Sequence, residues 1–168
     1  SDGQLGRYGW KAQVPSIREF VRDALSAEVG MTVPVEDGFN FGATADSDAV
    51  PDPELSTEDL DALEFYLVQL APPTAAAAAG DGRDLFESVG CTGAHTPAFD
   101  TDAGIVELFS DLLLHDVAEE GTVGIPDGDA SSTEFRTPPL WGLSATAPYM
   151  HDGRASTIEA AILAHAGE

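Results

Sequence analysis

One cysteine, Cys91, among 168 residues leaves this chain without the usual covalent means of tying loops together. A lone thiol makes no internal disulfide and is too few for a multi-cysteine zinc or iron–sulfur site. Disulfide scaffolds are excluded. The length suits one ordinary domain or a fragment of a larger protein. A hydrophobic fraction of 43% supports an apolar core rather than bulk disorder. Charge then narrows the partners. Seven Lys and Arg against thirty Asp and Glu leave a formal charge of −23 and a pI near 4.1, which repels phosphates and anionic lipid. Nucleic-acid and membrane-surface binding are not expected. No apolar run approaches the roughly twenty residues that span a bilayer, and no N-terminal targeting segment is expected. Dispersed acids with a single lysine, Lys11, suit either a protein solvated at high salt or an acidic secreted one.

Periodicity predicts a mostly helical chain with long loops and few strands. Residues 1–14 are Gly-rich and aromatic and read as an ordered approach segment. Ile17, Phe20, Val21, Ala24 and Leu25 follow helical spacing from Pro15 to Val29, with Gly30 as the stop. Residues 31–55 read as a long surface loop. Ser56 three residues before Asp59 forms an approximate capping box, and Leu60, Leu63, Leu67 and Leu70 make one stripe before Pro72-Pro73. Thr74–Ala79 is low in complexity, either a linker or a helical lead-in. Asp81 to Val89 predicts a short helix burying Leu85, Phe86 and Val89. The last helix starts at Ser156-Thr157, with Ser156 and Glu159 as its capping box. Ile158, Ala161, Ile162 and His165 fall at i, i+3, i+4 and i+7, which places His165 on a buried face.

The chemistry concentrates in Gly90-Cys91-Thr92-Gly93-Ala94-His95. A thiol four residues before a histidine, at the end of a short helix, can bond to a haem vinyl group while the imidazole ligates the iron. The attachment signature is C-x-x-C-H, and here Ala94 stands at its second cysteine. A buried apolar Cys91 beside a loop His95 is the competing reading. A cysteine hydrolase is a poor third, because residues four apart in one tight loop lack separate nucleophile and base positions. Asp46, Asp48 and Asp52 are close enough to raise calcium but lack the Gly and terminal Glu of an EF-hand loop, so they read as solvated loop.

Several further segments occur in order: Gly6-Arg7-Tyr8-Gly9-Trp10-Lys11-Ala12-Gln13, Tyr66-Leu67-Val68-Gln69-Leu70-Ala71-Pro72 and Ser110-Asp111-Leu112-Leu113-Leu114-His115-Asp116. Phe135-Arg136-Thr137-Pro138-Pro139-Leu140-Trp141-Gly142-Leu143 and Tyr149-Met150-His151-Asp152-Gly153-Arg154-Ala155 follow them. With the Gly-Cys-x-x-x-His segment they resemble the di-haem cytochrome c peroxidase superfamily, in its di-haem oxidoreductase (thiol oxidoreductase-like) branch. The resemblance covers nearly the whole chain. It implies an all-α, cytochrome c-like fold with long irregular loops, working in the periplasm or outside the cell. Residues 1–50 are then the tail of a preceding haem domain and its junction. Residues 51–168 are a cytochrome c-like haem domain, expected to be truncated at the C-terminus.

The same resemblance implies haem c, with His95 as proximal ligand and Cys91 as a single thioether anchor because Ala94 replaces the second. Non-covalent haem and loss of haem are the alternatives. The opposite ligand has four candidates: His165, Met150, His151 and His115. In the peroxidase branch a Met stands fourteen residues beyond the His of the His-Asp-Gly segment, and from His151 that count lands on His165. Met150 is second, since thioethers ligate electron-transfer haems. His151 is expected to turn a loop, and His115 to bond Asp116 or a haem propionate if it is not a ligand. Arg136 and Arg154 are expected at propionates or neighbouring carboxylates. Trp141 and Tyr149 either pack or lie against the haem. Trp10, near the junction, stands where the family can place a ring between two haems. The expected activity is single-electron transfer in a peroxidase-like oxidoreductase. Its partners would be a second haem domain or subunit and a small redox protein. A haem-free interaction module that keeps the fold is the alternative.

Overall fold

Short range rules first. Ser16 caps helix α1 (Ile17–Ala24) by accepting from Glu19 N, and the helix runs into a π-helical turn at Leu25–Val29. Gly30 closes that turn in the left-handed region at φ 77°. Helix α2 spans Thr57–Val68, and both halves of the Ser56–Asp59 capping box are present. Helix α3 is Gly80–Ser88, and α4 is Ile158–Leu163. The α4 cap is Thr157, which accepts from Ala160 N, one residue later than the Ser156–Glu159 box predicted. A computed structural model describes residues 3–73, 80–102, 104–118 and 124–165. The predicted linker or lead-in at 74–79 lies outside the described residues.

The all-α expectation fails. The described residues are 30% helical and 12% strand, so the architecture is mixed α/β. Strand β1 (Phe99–Thr101) pairs antiparallel with β2 (Gly104–Val106), Asp100 opposite Ile105. Strand β3 (Leu114–Asp116) pairs antiparallel with β4 (Glu134–Arg136), His115 opposite Phe135. Each strand has three residues, too few to show period-two alternation, and β3 finds its partner far along the chain.

The chain divides into two units, one of Ser1–Gly9 with Gln13–Ala71, the other of Trp10–Ala12 with Pro72–Glu168. In the first, Val21, Val33 and Leu60 form a buried cluster, with Ile17, Leu25, Leu55 and Leu67 packed on it. The segment 31–55 is therefore not wholly a surface loop, because Thr32 and Val33 are buried. Two charges hold it. Arg18 and Arg22, both buried, share the Glu36 carboxylate, and Arg22 also donates to the Phe41 and Pro34 carbonyls. Gly42, at φ 90°, passes so close that a Cβ would meet Arg22 O at 2.9 Å.

The second unit is built differently. Its buried apolar residues among those described are Ala130, Phe135 and Ala155, while Lys11, Ser110 and Thr137 are buried polar ones. Lys11 Nζ donates to the carbonyls of Ser131 and Glu134 and lies 3.7 Å from the Phe135 ring centre. His151 stacks on the same ring at 3.9 Å with planes 17° apart. An ammonium and an imidazole thus both lie against the buried Phe135 ring. Leu85 of α3 and Val89 just after it are exposed instead of buried, since the described part of this unit offers them no core.

Candidate functional site

Gly90 leaves α3 in the left-handed region at φ 88°, open to glycine without strain, and starts a 3₁₀ turn at Cys91–Gly93. His95 N donates to Cys91 O at 3.0 Å, so thiol and imidazole belong to one tight turn. Cys91 is half-buried. Behind His95 stands the Phe109 carbonyl, 2.8 Å from Nδ1. A carbonyl only accepts, so Nδ1 carries the proton and Nε2 keeps its lone pair. Burial pushes the His95 pKa down, more than the Phe109 bond raises it, which keeps the ring neutral at neutral pH. Phe86 lies edge-on to both His95, at 6.1 Å, and Phe109, at 5.9 Å. A cavity of about 230 Å³ adjoins these rings, lined by Arg83, Phe86, Glu87, Thr92, Pro97 and Phe109.

His165 arrives from the end of α4. Its Nδ1 lies 2.7 Å from Ala161 O, a carbonyl that only accepts, so Nδ1 carries a proton. The His95 and His165 ring centres are 6.4 Å apart with planes at 52°. A ligating imidazole nitrogen sits ~2 Å from its metal, so two rings sharing one atom from opposite sides have centres roughly 6 Å apart. His165 is exposed, contrary to the buried face predicted for it. α4 ends at Leu163, before His165, and Ile158 and Ile162 of the predicted face are exposed too, the latter by 63%.

The other predicted residues sit around this pair or away from it. Met150 has φ 69° and lies with His151 in the turn closed by the Tyr149–Ala155 bridge. Arg154 in that turn grips Asp152, which holds the Asp152 carboxyl down to about 2. Arg136 N donates to Trp10 O, and its Nη1 to Thr137 O at 3.3 Å. Trp141 Nε1 donates to Glu107 O at 2.7 Å. Trp10 is half exposed. His115 Nε2 meets Asp111 Oδ2 at 2.8 Å, so its partner is Asp111 and not Asp116. The carboxylates of Asp46, Asp48 and Asp52 accept backbone N–H groups within their loop.

Sequence reasoning missed Phe109, Ser110 and Asp111 as the support behind His95. The motif Ser110–Asp116 was visible, but its link to His95 is a backbone carbonyl, which no residue type announces.

The donor set is informative. Among the described residues no group of three or more His, Cys, Asp or Glu could hold a metal ion. Two imidazoles suit instead a metal that brings its remaining ligands with it, as an iron porphyrin does. The apolar, exposed faces of α3 and α4 and the thin core of this unit suit a large flat apolar group as well. The residues fit a haem.

Comparison with known proteins agrees. The sequence model of one family, described as "Di-haem oxidoreductase, putative peroxidase", matches residues 2–168. No curated protein and no solved structure matches the chain.

Proposed function

Since the chain belongs to the di-haem oxidoreductase family, we propose that its second unit is a one-haem electron-transfer module with His95 and His165 as the axial ligands. The observation that carries this reading is the histidine pair, 6.4 Å between ring centres, with both Nδ1 atoms engaged by backbone carbonyls. When bound, haem supplies a one-electron Fe(III)/Fe(II) couple. His95 binds through Nε2 and is held in orientation by Phe109. His165 would be the second residue holding the iron, and a site closed by both histidines would exclude peroxide and water. Cys91 would hold the group through one thioether, its S–H adding across a vinyl group with nothing released. Ala94 limits that attachment to a single thioether. Arg136, which donates to Thr137 O, stands as a candidate for a propionate, and Arg154 is bound to the neighbouring carboxylate of Asp152. Met150 is the second candidate for the position given to His165, and the Trp141 ring is a candidate wall of the site.

The family description speaks of two haems, and this chain has one cysteine and one such histidine pair. A second haem domain or subunit is therefore the proposed electron partner, with a small redox protein as external donor or acceptor. A periplasmic or extracellular setting goes with covalent haem attachment. One observation favours a second reading, a haem-free module: Ala94 in place of the second anchor.

A pyridine haemochrome spectrum followed by acid-acetone extraction tests the proposal. Haem that resists extraction, with bands between the b-type and two-thioether positions, is the expected result. Extractable haem keeps His95 and removes the Cys91 bond. No haem, from a host able to attach it, leaves the haem-free module.

A further inference from the structure

The carbonyl that orients His95 belongs to a residue in an uncommon conformation. Phe109 has φ 51° and Leu112 has φ 61°, both in the left-handed region that bulky side chains avoid. Such strain persists only where the surroundings over-determine it. Between them sits Ser110, fully buried. Its Oγ donates to Thr137 O at 2.7 Å and accepts from Leu112 N at 2.9 Å. Its own N donates to Thr96 O at 3.0 Å, flanked by Phe109 N to Pro97 O at 3.2 Å and Asp111 N to Ala94 O at 2.9 Å. Residues 109–111 are thereby laced to 94–97, the stretch containing His95. The Ser110 hydroxyl is the side-chain tie that fixes the lace to the end of β4.

We propose that Ser110 is a positioning residue for His95: its buried hydroxyl holds Phe109 left-handed, so that the Phe109 carbonyl accepts the hydrogen bond from Nδ1–H, keeping the proton on Nδ1 and the lone pair on Nε2. Without the hydroxyl, Thr137 O and Leu112 N lose a partner and the strained turn relaxes. The Phe109 carbonyl then leaves Nδ1, and the imidazole proton divides between the two nitrogens. In a haem-loaded chain, which rests on the preceding reading, the same loss reduces the basicity of the ligand and moves the reduction potential to more positive values.

The test is ¹⁵N NMR of the imidazoles in the full chain prepared without haem, together with potentiometry of the haem-loaded chain. Wild type should show His95 protonated at Nδ1 alone. Ser110→Ala should show both tautomers and a more positive potential, and Ser110→Thr, which keeps the hydroxyl, should restore both readouts. Ser110→Cys conserves volume with a weak donor, and serves if Ser110→Ala does not fold; the same direction of change is expected. A His95 protonated at Nε2 in wild type, or unchanged tautomer and potential in a folded Ala or Cys variant, overturns the proposal. If the wild-type chain takes no haem, the haem reading fails while the tautomer comparison still decides this one.

Discussion

The His95 and His165 ring centres lie 6.4 Å apart, but the two rings are not held alike. His95 is half-buried, wedged by Phe86 and bonded to a carbonyl fourteen residues away in sequence. His165 is exposed and bonds only within its own last helical turn, to Ala161 O. One ring is fixed by tertiary structure and the other by a six-residue helix. That asymmetry makes His165 the proposed ligand to remove.

Replacing His165 with Ala should turn a low-spin spectrum high-spin and open the iron to cyanide. Because the Phe109 bond to His95 is independent of α4, haem should be retained. An unchanged spectrum would dismiss His165 as the ligand and direct attention to Met150.

Ala94 ends the 3₁₀ turn that begins at Cys91. Ala94→Cys should restore the two-thioether signature in a host with attachment machinery, moving the haemochrome bands to the ordinary c-type position. Bands that stay put would place residue 94 away from the vinyl group and defeat the motif reading.

Glu36 serves two buried guanidiniums, Arg18 and Arg22, and their bonds hold its carboxyl below its usual range. Removing one member of a buried pair leaves an uncompensated charge, a loss of about 3 kcal/mol. Glu36→Ala should therefore lower the urea midpoint of the first unit markedly, without changing the His95 tautomer. A midpoint within error of wild type would show the Arg–Glu36 cluster to be energetically idle.

Burial lowers the pKa of both His95 and His151. In the unfolded chain each titrates near 6.5, so below that pH the unfolded state takes up protons first. The stability associated with the neutral rings is complete above about 6.5 and is lost as pH falls toward the folded values. Glu36 adds a second loss below roughly 4.5, since its pKa is also depressed. Urea midpoints of the haem-free chain in ~1 M salt, which screens the self-repulsion of the acidic surface, should decline from near pH 6.5 downward. A profile flat to pH 5 contradicts the assigned neutral histidines.

Local rules carried far in this chain. The Ser56–Asp59 box, the Gly30 stop and the turn of Gly90 into Cys91 all rest on interactions spanning a few residues, and each formed where the residue types called for it. The α4 cap moved from Ser156 to Thr157 because adjacent hydroxyls compete for the same backbone donors. The strands were not legible. Three-residue pairings such as Leu114 to Arg136 depend on partners that periodicity does not reveal.

By itself, the sequence determined the family and the turn that joins Cys91 to His95. Those are matters of residue type and spacing within a turn or two. Tertiary structure alone decided that Arg18 and Arg22 are the buried arginines, and that His115 bonds Asp111. It also decided that Phe109 lends its carbonyl to His95. Each of these is a contact made through a backbone atom or across a loop, where a side chain's identity does not say what it will meet.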